Sequence, residues 1–117
     1  DCQVPYETFD SILENLLQNA REKRIHEPGI TISVSMSCKQ SAGASMVSLK
    51  VCDSGSAISD EIKQPLFHEP LQSESGFGIG LYQSRQQAER NGYNLSLSEN
   101  NPGKVCFMLE NNFKTTG

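Results

Sequence analysis

Between residues 6 and 24 the apolar side chains fall at Phe9, Ile12, Leu13, Leu16, Leu17 and Ala20, with polar residues between them. Steps of three and four put them on one stripe, so the segment is predicted to be an amphipathic helix with one core-facing side. Pro5 suits its first turn, and Glu27-Pro28-Gly29 signals the turn that follows. The period then changes to two. Ile30, Ile32, Val34, Met36 and Cys38 alternate with Thr31, Ser33, Ser35 and Ser37, which predicts a strand over 30–38 with one buried face. A loop at Ser41-Ala42-Gly43-Ala44 leads to a second strand over 46–52, and the two are expected to pair as an antiparallel hairpin.

Residues 54–79 break the pattern. They are rich in Ser, Gly and Glu, carry Pro65 and Pro70, and have Ile62, Leu66 and Phe67 as anchors. A short helix is expected near 60–66. The rest is a long loop, of a length that in a compact domain is functional or disordered. Residues 80–91 are predicted to be helical, ending at Asn91-Gly92, a favourable C-terminal cap. Tyr93–Glu99 and Lys104–Glu110 form two further strands around the Asn100-Asn101-Pro102-Gly103 turn. The polar tail from Asn111 is expected to fray.

Bulk properties narrow the class. A chain of 117 residues suits one domain with one core. A net charge of −4 argues against an electrostatic footprint for nucleic acid. No apolar run approaches membrane-spanning length, so no direct membrane contact is expected. No secretory leader is apparent. The four cysteines, Cys2, Cys38, Cys52 and Cys106, lack CxxC spacing, and three lie in strand-like runs. Buried thiols in a reducing cytosol are expected, rather than a disulfide or metal set.

Three blocks carry candidate chemistry. Asn15 and Asn19 are four residues apart and share a helix face. Asn is a mediocre helix former, and its side-chain oxygen suits Mg²⁺, which takes few protein ligands and keeps waters. The plainer alternative is a pair of solvated amides. Asp53 shares the odd-numbered parity of Val47, Leu49 and Val51, which places it near the core side at the strand's end. A carboxylate there can accept from an exocyclic amine such as adenine N6, and Gly55 lets backbone approach a flat ring. Alone, an ordinary Asp-Ser-Gly turn explains the block as well. An EF-hand loop does not fit, because Ile58 stands where that loop needs glycine. Gly76, Gly78 and Gly80 open a helix, where free backbone N–H groups can bind phosphate. The interleaved Phe77, Ile79 and Leu81 argue for packing rather than a linker. Neither a Rossmann nor a Walker pattern is present.

In this order the blocks resemble the catalytic ATP-binding domain of sensor histidine kinases, whose fold is shared with gyrase, Hsp90 and MutL. Leu13–Ala20 is similar to the family's asparagine box, Asp53–Gly55 to its first glycine box, Leu66-Phe67 to its phenylalanine box and Gly76–Leu81 to its second glycine box. The resemblance covers about residues 4–110. It implies an α/β two-layer sandwich of the Bergerat type, with a mixed, mostly antiparallel sheet and helices on one face. It implies ATP and Mg²⁺ as cofactors, with Asn19 on the metal. ATP-binding positions would be Asn15, Asn19, Arg21, Lys23, Asp53, Gly55, Ile58, Phe67, Gly76, Phe77, Gly78, Ile79, Gly80 and Leu81.

The implied activity is that of a protein-histidine kinase. The γ-phosphoryl group would go to a histidine on a separate dimerisation domain of the same kinase, with a response regulator downstream in a bacterial two-component system. His26 and His68 do not lie in a dimerising helix, so the chain is expected to be one domain of a larger kinase. It has a lid at about 59–79 and no autophosphorylation of its own. A cytoplasmic location follows, whether or not the parent is membrane-anchored. Two alternatives share the fold: a regulatory pseudo-kinase module and an anti-sigma-factor-type serine kinase.

The chain departs from the pattern at four places. Glu22 stands where members often carry a phosphate-facing Lys, with Lys23 beside it. The lid reads Gln72-Ser73-Glu74-Ser75 in place of a Thr-Lys pair. Ala57 replaces a glycine. Asn15 replaces the Glu that activates water in gyrase and Hsp90, which disfavours hydrolysis and favours phosphotransfer.

Overall fold

The computed structural model describes residues 6–41, 44–63 and 80–111. Helix α1 spans Tyr6–His26, strand β1 Ile32–Ser41, β2 Ala44–Asp53, helix α2 Asp60–Lys63, α3 Gly80–Arg90, β3 Tyr93–Asn101 and β4 Lys104–Asn111. The sheet has the order β1-β2-β4-β3, and all three described pairings are antiparallel. Both long helices lie on one face of it. This is the expected two-layer α/β sandwich.

Period and burial agree along α1. Phe9, Ile12, Leu16 and Ala20 are buried on one stripe. They meet Val47, Leu49 and Val51 of β2, Val105, Phe107 and Leu109 of β4, and Leu95 of β3. Each strand contributes every second residue, as a one-sided sheet requires. Leu81 and Ala88 bring α3 into the same core, and Phe9 packs edge-on against Tyr93 with ring centroids 5.1 Å apart. The basic residues Lys23, Arg24 and His26 sit in the last turn of α1, where the helix dipole favours them. Gly92 takes a φ of 81° just after α3, the left-handed geometry the Asn91-Gly92 cap requires.

Two expectations are corrected. Val34 and Met36 were assigned a buried face by alternation, yet both are exposed. They share a face with the core residues opposite them, Val51 and Leu49, but β1 is the edge strand that the helices leave uncovered. The second correction concerns sulfur. Cys52 and Cys106 are direct partners across β2 and β4, with Cα atoms 4.1 Å apart, and they form a disulfide. Cys38 is disulfide-bonded as well. The pairing comes from strand register at a sequence separation of 54, which no local spacing reveals. The cysteines therefore give no argument for a reducing compartment. Among the described residues, no helix is long and apolar enough to cross a membrane.

Candidate functional site

The ends of α1 and β2 meet beneath the loop that follows β2. Leu16, Asn19, Ala20 and Lys23 come from the helix, Val51 and Asp53 from the strand, Ile58 from the loop, and Val105 and Phe107 from β4. Together they line one small pocket with an apolar floor and three polar side chains.

Asp53 is buried at the end of β2. Its Oδ1 accepts the Gly55 N–H at 2.9 Å and the Lys23 ammonium at 2.9 Å. Lys23 Nζ also donates to the Ser56 carbonyl at 2.6 Å. Asn19 is buried too, and its Nδ2 has no hydrogen-bond partner. An unsatisfied buried donor costs about 1–3 kcal/mol, so this amide is poised for an acceptor that a ligand would bring. At Gly55 an added Cβ would stand 2.9 Å from Lys23 Cε and 3.0 Å from Asp53 Oδ1. Only a glycine lets these side chains close so tightly over the backbone.

The loop is held from three sides. Glu27 accepts the Ser56 N–H at 2.9 Å and the Ser56 hydroxyl at 2.7 Å. Asn100 clamps Ile58, accepting its N–H at 2.7 Å and donating to its carbonyl at 3.0 Å. Gly103 N–H donates to the Gly55 carbonyl at 2.8 Å. The β3–β4 turn, expected only as a connection, thus positions the Asp53–Ile58 loop. No sequence signal pointed to Glu27 or Asn100, because their partners lie far along the chain.

The hydrogen bonds from Ser56 hold the Glu27 carboxyl below its ordinary value of 4.5, with Lys23 and His26 adding to the effect. A depressed folded pKa gives stability that is present above the unfolded value and lost as pH falls through the folded one. Glu27→Gln is therefore expected to flatten the loss of stability below about pH 4.5. Thermal unfolding of both proteins between pH 3 and 7 measures this, and identical acid limbs would refute it.

A family model for histidine kinase-, DNA gyrase B- and HSP90-like ATPases matches residues 6–114. The chain belongs to this ATPase family. Comparison with curated proteins gives no match. In this ATPase domain α1 and β2 converge on one pocket, and Asn19, Lys23, Asp53 and Ile58 all line it. Asn15 lies one turn earlier and donates to the buried Ser84 hydroxyl of α3 at 2.7 Å, joining the two helices.

Two other predicted site residues lie differently. Arg21 is only two residues from Asn19, and such positions do not face each other on a helix. It points outward and pairs with Glu14 at 3.4 Å on the exposed side of α1. The Leu81 side chain is fully buried in the core, so its backbone alone is left for a ligand. Gly80 opens α3. Phe67, Gly76, Phe77, Gly78, Ile79 and most of the expected lid lie outside the described residues; the expected short helix is present as α2 over Asp60–Lys63.

Among the described residues, no three His, Cys, Asp or Glu side chains gather to hold a metal ion. A magnesium ion would rely on the Asn19 carboxamide, phosphate oxygens and water, the ligand pattern this ion favours.

Proposed function

We propose that the chain is the ATP-binding catalytic domain of a protein-histidine kinase. It would bind ATP with Mg²⁺ and supply the γ-phosphoryl group to a histidine on a separate dimerisation domain. A response regulator would act downstream, and the domain would work in the cytoplasm. The observation that carries this reading is Asn15. The resemblance expects a water-activating Glu there in the hydrolysing relatives. Here an amide donates to Ser84 instead. An amide cannot take a proton from water, so hydrolysis lacks its base and transfer to another acceptor is favoured. Asp53 would accept from adenine N6, Gly55 would lie against the ring, and the Asn19 oxygen would meet the metal.

Titration with a non-hydrolysable ATP analogue, with and without Mg²⁺, tests the reading. Asn19→Ala is expected to weaken the Mg²⁺-dependent part of binding about tenfold, because a methyl group cannot replace a hard-ion ligand. Asn15→Ala is expected to weaken it less. An unchanged Mg²⁺ dependence in the Asn19 variant would remove the metal role. Phosphate transfer to a histidine-containing domain added in trans separates the histidine kinase from a serine kinase of the same fold.

A further inference from the structure

The base pocket is closed. Its free space is about 10 Å³, room for no more than one water. A purine ring cannot enter it without displacing something. The group in the way is Lys23. Its ammonium is held on Asp53 Oδ1 at 2.9 Å, against the carboxylate a base amine would need. Its stem lies against Gly55 so closely that an added Cβ there would be 2.9 Å from Cε. The carboxylate and the bare backbone that suit a base are both taken by one side chain.

We propose that Lys23 is an intramolecular plug of the base pocket, and that a nucleotide binds by evicting it. The proposal rests on the base-pocket reading above. The exchange is chemically balanced. Asp53 trades an ammonium donor for a base amine and is never left unpaired in its buried position. The Ser56 carbonyl, on an exposed residue, is free to take water when Lys23 leaves. Lys23 sits in the last turn of α1 on a flexible four-carbon stem, so its charge can swing to solvent without moving the helix. The closed state lowers apparent affinity by the fraction of molecules that are open. Lys23 therefore sets the nucleotide concentration at which the domain fills.

A plug behaves in the opposite way to a phosphate-binding lysine. With the full chain, Lys23 acylation by an amine-reactive ester is followed by peptide mass spectrometry, without ligand and with saturating adenosine. Adenosine carries no phosphate, so any change reports the base alone. Lys23 reactivity is expected to rise several-fold while that of Lys39 stays constant; unchanged or slower acylation with adenosine bound overturns the plug. Lys23→Met is expected to bind adenosine about tenfold more tightly, since the closed state is lost. Equal or weaker binding by that variant, folded, also overturns it. If leaving Asp53 unpaired prevents folding, the acylation result on the parent chain decides. Binding without release of Lys23 refutes the plug alone. No adenosine binding to either protein refutes the base-pocket reading beneath it.

Discussion

Asp53→Asn is expected to erase most of the domain's preference for adenine over guanine nucleotides. The carboxylate is acceptor-only, so it suits the adenine N6 amine and opposes the guanine O6 acceptor. An amide presents a donor or an acceptor and suits either base. Hydrogen bonds to a charged group contribute about 1.5–3 kcal/mol, which corresponds to a roughly ten- to hundredfold fall in the ATP:GTP affinity ratio. The ratio is the right quantity, because Lys23 must leave the pocket for either base and its cost cancels. The absolute affinity does not share this property: the substitution also removes the charge that holds Lys23 at 2.9 Å. Calorimetric titration of both proteins with ATP and GTP analogues gives the ratio directly. A parent that binds the two equally, or a variant that keeps the parent's preference, would show that Asp53 does not read the base.

Asp53 was legible because its signal is local. Strand parity alone ties it to Val47, Leu49 and Val51, and all four are buried. The same logic placed α1 and the four strands, and in α1, β2 and β4 the periods of 3.6 and 2 match the burial. Parity misled at Val34 and Met36. It tells which face a side chain takes, not whether anything covers that face, and β1 lies at the sheet edge.

Lys23 and Arg21 separate in the same way. Both stand near Asn19 in sequence, and both were expected ATP-binding positions. Helix geometry turns Arg21 outward. It brings Lys23, one turn beyond Asn19, over the end of β2. The ion pair with Asp53 joins residues that only the packing of α1 against β2 brings together. The Asn100 clamp on Ile58 and the Glu27 grip on Ser56 are likewise products of tertiary contact. The outline of the site was thus readable from short-range pattern, whereas its closed state was not.

Reduction of the Cys52–Cys106 disulfide is expected to cost the domain much of its stability while leaving its base preference intact. The bond joins strands 54 residues apart in sequence. Closing a loop of that size in the unfolded chain contributes about 4 kcal/mol in the chain-entropy model. That is a large share of the 5–15 kcal/mol typical of a single domain. Nucleotide selectivity should survive, because neighbouring strand residues face opposite sides. Asp53, at the strand's end, lines the pocket under α1, whereas Cys52 lines only the groove on the other side of the sheet, which Asp53 also borders. Register also keeps Cys52 opposite Cys106 through the β2–β4 ladder whether or not sulfur joins them. Urea unfolding with and without a phosphine reductant measures the first effect. A Cys52→Ala/Cys106→Ala double variant, insensitive to reductant at this pair, separates it from reduction at Cys38. An unfolding midpoint that does not move in either experiment would mean that the ladder alone holds β2 to β4. A fall in the ATP:GTP ratio on reduction would mean that the disulfide also sets the position of Asp53.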